Sequence, residues 1–108
     1  MSEGDKLWRV YELTIIAPNG DSGCYAGMTG DTLARRKAGH KSDAKRHRMR
    51  RIVARWVADR GLDADNCEWH IEQISTHDTE HECRIAEAQH ILTNRHRLMN
   101  DRIEVRLR

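Results

Sequence analysis

A chain of 108 residues suffices for one domain with a modest core, which with no Phe must rest on Ile, Leu, Val, Met, Ala and three Trp. The net charge of +2 conceals a division: residues 35–55 hold ten Lys or Arg against one acid, a local +9, and residues 56–91 hold nine acids against two Arg, a local −7. No apolar run reaches the roughly 18 residues of a membrane-spanning helix, and residues 1–7 lack the basic start and apolar stretch of a signal peptide.

Taken in chain order, residues 1–7 read as a flexible tail. Residues 8–17 are rich in β-branched and aromatic side chains and read as a strand. Pro18-Asn19-Gly20-Asp21-Ser22-Gly23 is a strong turn, and Cys24 to Met28 return as the second strand of a hairpin. Asp31 or Thr29 can cap a short helix over about 32–39, which Gly39 would end. A second helix, capped by Ser42 or Asp43, is expected to about residue 60. Its apolar stripe would be Met49, Ile52, Val53, Trp56 and Val57, with Gly61 as its stop. Asp63 to Asn66 reads as a loop, and Cys67 to Ile74 alternates as a third strand. Thr79-x-x-Glu82 is a capping box, opening a helix to about residue 94 with Cys83, Ala86, Glu87, His90 and Ile91 in one stripe. Residues 103–107 could form a short last strand. The order β-β-α-α-β-α implies a single α+β domain over residues 1–108, a small, mostly antiparallel three-stranded sheet flanked by helices.

The chemistry is concentrated in Tyr25 to His40. Arg36 and His40 are four residues apart and share a helix face, close in sequence to Tyr25. A guanidinium pairs with phosphate oxygens, and a phenol and an imidazole hold or move protons. The basic block is first of all a solvated face, but beside an Arg-bearing loop it also suits a phosphate backbone. Cys24, Cys67 and Cys83, odd in number and widely spaced, read as free thiols of a reducing cytoplasm. Cys67, His70, His81 and Cys83 are spaced too irregularly for a zinc site. The histidines other than His40 read as structural or exposed, with His90, one turn from Glu87, the first candidate for an exception.

Over residues 8–100 these motifs resemble the GIY-YIG nuclease family. Val10-Tyr11 stands where the family ends its first motif, and Tyr25-Ala26-Gly27 stands for its second. Leu33, Arg36 and His40 fit the spacing of the following helix, which selects Arg36 over Arg35. Glu87-Ala88-Gln89-His90-Ile91 resembles the helix with the single metal-binding glutamate, and Leu98-Met99-Asn100 the segment ending in a supporting asparagine.

The resemblance implies a DNA endonuclease with one Mg²⁺ (or Mn²⁺) on Glu87, Arg36 on the scissile phosphate, and Tyr11 as general base assisted by His40. Tyr25 would orient the water or phosphate, and Asn100 would support the site. A basic helix over about 43–60 would track the nucleic acid with Lys45, Arg46, Arg48, Arg50, Arg51 and Arg55, joined by Arg35 and Lys37. DNA is the expected partner, with RNA an alternative. No separate DNA-targeting domain is expected, so the expectation is weak intrinsic sequence preference, structure-directed cutting, or targeting by a partner protein or a homodimer. Compactness points to a phage or other mobile element.

Three departures stand out. Arg9 replaces the first motif glycine, Tyr11 and Tyr25 are fourteen residues apart in a longer hairpin than is usual, and the turn before Arg36 is one residue longer. Arg9 favours a rival reading, a non-catalytic nucleic-acid-binding module of the same fold. The acidic half offers a second rival, a protein-interaction module.

Overall fold

The first two strands, β1 (Trp8–Ile16) and β2 (Ser22–Thr29), form an antiparallel hairpin in the computed structural model, which describes residues 6–100. Gly20, at φ +94°, makes the reversal, and Ala17 closes it by donating to the Asp21 carbonyl at 2.8 Å. The chain continues through α1 (Leu33–Lys45), α2 (Ile52–Asp59), a single 3₁₀ turn (Ala64–Asn66), β3 (Glu68–His77) and α3 (Glu80–Asn94). β3 pairs antiparallel with β1, so the sheet runs β2-β1-β3 with the strand of the first motif at its centre. This is the α+β, β-β-α-α-β-α architecture expected from the sequence. The strand expected over residues 103–107 lies outside the described residues, as do residues 1–5 of the expected tail.

Strand periodicity divides the core. Tyr11, Leu13 and Ile15 point to one face and pack with Ala44, Val53, Ala54, Trp56 and Val57. On the other face Ala26 packs with Ile91 of α3 and with Leu98. Beyond α3 the chain returns along β2. Met99 donates its amide to the Cys24 carbonyl at 2.7 Å, and the Asn100 side chain both accepts from Ala26 N–H (2.9 Å) and donates to Ala26 C=O (2.8 Å).

The helices depart from expectation in one region. Gly39 does not end the first helix, which runs on to Lys45, and Ser42 and Asp43 lie inside it rather than capping a second one. Glycine costs a helix interior about 1 kcal/mol relative to Ala. Here the continuation buries His40 and Ala44, which offsets that cost. The N-cap is Thr32, whose hydroxyl accepts from Arg35 N–H at 3.2 Å, rather than Asp31 or Thr29. The second helix is correspondingly short, so residues 43–60 are not one basic helix. Arg48, Met49 and Arg50 form an exposed turn, and Met49 is outside the apolar stripe. Asp43 braces that turn through Arg48 (3.5 Å) and Arg51 (3.9 Å). Gly61, at φ +64°, ends α2 as expected. No helix among the described residues is long and apolar enough to cross a membrane.

Candidate active site

Tyr11 and Gly27 are register partners across β1 and β2. A Cβ at Gly27 would stand 2.6 Å from the Tyr11 hydroxyl and 2.8 Å from Cζ. The absence of a side chain at 27 is therefore what lets the buried phenol lie across β2. Beside Tyr11 the β1–β3 register skips Ile74, a bulge of the kind that re-aims side chains near functional sites.

Around the Tyr11 oxygen two groups from α1 converge. His40 Nε2 is 2.7 Å away, and Arg36 Nε–H donates to it at 3.0 Å. The two are one turn apart on α1, as their spacing requires. Tyr25 completes an aromatic cluster, its ring 5.2 Å from that of His40 and 6.4 Å from that of Tyr11, centroid to centroid. His40 is only 4% exposed, and its Nδ1 has no hydrogen-bond partner. Burial, then the charges of Arg36 and Arg51, press its pKa down to about 3. The imidazole is therefore neutral near pH 7, and in its Nδ1–H tautomer its Nε2 can accept the Tyr11 proton.

A cavity of about 410 Å³ opens beside this cluster, lined by Tyr11, Tyr25, Arg36 and Glu87 together with Trp8, Met28, Arg51, Glu80 and Arg84. Glu87 reaches it from α3, although that helix packs on the opposite face of the sheet from Tyr11. A carboxylate only 3% exposed on such a wall suits a cation. Among the described residues no group of three or more His, Cys, Asp or Glu is placed to hold a metal ion. The single carboxylate of Glu87 on an open cavity wall is chemically compatible with a Mg²⁺ that keeps most of its waters and takes one or two carboxylates.

The structure brings together four of the six expected catalytic and supporting residues at the cavity wall, with His40 directly behind Tyr11. Asn100 sits on the backbone of Ala26, next to both Tyr25 and Gly27 in sequence. Of the expected nucleic-acid-binding residues, Arg51 alone lines the cavity. Lys45 pairs with Asp65 at 3.3 Å, Arg35 with Asp31 at 3.9 Å and Arg48 with Asp43. Arg46, Arg50 and Arg55 are exposed, and Lys37 is half-buried. Arg9 donates to the Asp31 carbonyl at 3.3 Å and does not line the cavity.

Sequence reasoning missed Trp8, Met28, Glu80 and Arg84. The i, i+4, i+7 spacing of Glu80, Arg84 and Glu87 was the available signal for the last two. It also missed a network on the far side of the sheet. There Glu12 accepts from His90 Nε2 at 2.6 Å, from both terminal nitrogens of Arg97 and from the Cys24 thiol at 3.3 Å. The Arg97 hydrogen bonds above all hold Glu12 down to a pKa of about 2, against the opposing effect of its burial. His90 is thus committed to Glu12 rather than to the cavity. No family model, curated protein or solved structure matches this chain.

Proposed function

We propose that this protein is a metal-dependent endonuclease of the GIY-YIG type that hydrolyses phosphodiester bonds in DNA. The observation that carries the reading is the convergence of Tyr11, Tyr25, Arg36 and Glu87 on one open cavity, with a neutral His40 on the Tyr11 oxygen.

Each residue then has a task. Arg36 holds the scissile phosphate through its guanidinium. Tyr11 takes a proton from the attacking water as its own proton passes to His40 Nε2. The Arg36 hydrogen bond to the phenol oxygen favours the developing phenolate. Phosphate binding also neutralises the cationic field of Arg36 and Arg51, part of what depresses His40, so substrate makes the imidazole a better base. Tyr25 orients water or phosphate. Glu87 would hold Mg²⁺ or Mn²⁺, which when bound stabilises charge on the phosphate and the leaving oxygen. The exposed Arg46, Arg50 and Arg55 and the cavity-lining Arg51 supply sequence-independent backbone contacts. Site selection then falls to DNA structure, a partner protein or a second copy of the chain.

The test is nicking of a supercoiled plasmid in Mg²⁺ against EDTA. Cleavage by the wild type, lost in Glu87→Ala and Arg36→Ala with the circular dichroism spectrum unchanged, supports the reading. Cleavage that survives either substitution rejects the site. Salt-sensitive DNA binding with no cleavage by the wild type rejects the enzyme in favour of a binding module.

A further inference from the structure

The α3 wall of the cavity holds one cation that the proposed mechanism does not use. Glu80, Arg84 and Glu87 recur at i, i+4 and i+7, so they form a single stripe, and all three line the cavity. Arg84 stands about 4.5 Å along the helix axis from Glu87. Arg36 and Arg51 enter from the α1–α2 side, so Arg84 is the cation of the opposite wall. Its Nη2 donates to Glu80 Oε2 at 2.9 Å, and both side chains are 52% exposed. An exposed i, i+4 pair of this kind holds weakly and yields to a better partner. A phosphate diester offers that partner, because it presents two anionic oxygens to the guanidinium fork.

We propose that Arg84 is a second phosphate-binding residue, held by Glu80 in the free protein and transferred to the phosphate next to the scissile one when a polynucleotide enters. This rests on the nuclease reading and deepens it. A site that grips two successive phosphates selects internal linkages of a strand over a nucleotide with a single phosphate group. Glu80 acts as a latch. It holds Arg84 at the cavity wall until a phosphate displaces it.

The experiment is binding of a short fluorescent DNA duplex, with Ca²⁺ replacing Mg²⁺ so that affinity is read without turnover, over a series of salt concentrations. Relative to wild type, Arg84→Ala is expected to flatten the plot of log affinity against log salt by about 0.9 and to weaken binding roughly tenfold. Glu80→Gln is expected to tighten binding about two- to threefold by freeing Arg84. That gain disappears when Arg84 is already alanine. An unchanged salt slope in Arg84→Ala, or a Glu80→Gln gain that persists without Arg84, overturns the assignment while wild-type nicking still stands. Absence of salt-dependent binding by the wild type overturns it together with the nuclease reading.

Discussion

Tyr11 and Gly27 face each other across the first hairpin so closely that any side chain at 27 would meet the phenol oxygen at 2.6 Å. Tyr11 is 1% exposed and cannot swing aside. Gly27→Ala is therefore expected to push the hydroxyl off His40 and Arg36, lowering the cleavage rate at least about 100-fold. Overpacking would also cost roughly 1–3 kcal/mol in denaturant unfolding. Normal cleavage by Gly27→Ala would show that the Tyr11 oxygen need not stay where it is.

The depressed His40 pKa gives a second expectation. A folded-state value of about 3 against an unfolded 6.5 means that the unfolded chain binds the extra proton between those values. Stability is complete above pH 6.5 and falls as pH drops toward 3, by at most on the order of 5 kcal/mol. His40→Phe should flatten that part of the stability curve. In cleavage, the same variant should lower kcat by roughly 10²–10⁴-fold with little change in KM, because it removes a proton acceptor rather than a substrate contact.

Glu12 adds a separate, more acidic transition. Its folded pKa of about 2 lies below the ordinary 4.5, so its stabilisation is present above 4.5 and lost as pH falls through 2. Arg97→Ala removes the largest cause of that depression and leaves a poorly exposed carboxylate with fewer donors. Its acid-unfolding midpoint should move up in pH, while nicking at neutral pH stays within about twofold of wild type, since the network lies across the sheet from the cavity. Unaltered acid unfolding in Arg97→Ala would remove Glu12 as its cause.

Asn100 grips both backbone groups of Ala26. Asn100→Ala leaves that amide and carbonyl without these partners, so a loss of about 1–3 kcal/mol is expected. Hydrogen exchange at the Ala26 amide should accelerate selectively. Asn100→Asp keeps the acceptor and loses the donor, and is expected to fall between the two.

The sheet was legible because its signals are local. Alternation marked β1 and β3, the Pro18–Gly23 turn joined the hairpin, and Thr79 with Glu82 opened α3. The α1–α2 boundary was not, because Gly39 is a helix terminator by propensity and an interior residue by packing. That decision lies with His40 and Ala44, whose burial needs the finished core. The same holds for the cavity. Arg36 and His40 could be paired by their spacing, and Glu80 and Arg84 could be joined to Glu87 by theirs, but only the fold sets that stripe opposite Tyr11. Glu12 and Arg97, 85 positions apart, meet only through the fold. Arg9, two residues from Tyr11 on the same strand, looked like an obstruction, but its guanidinium is turned to the Asp31 carbonyl.

The strip of chain beyond α3 also decides how this sheet meets other molecules. An outer strand with bare amides and carbonyls is a template for self-association. On β2, Met99 and Asn100 occupy the Cys24 carbonyl and both groups of Ala26. β3, at the opposite margin, carries exposed Glu68, His70 and Glu72, the polar protection such a margin needs. A chain cut short before Leu98 would keep Tyr11, Arg36, His40 and Glu87 yet lose its seal on β2. It would fail first as an aggregating protein rather than as an inactive one.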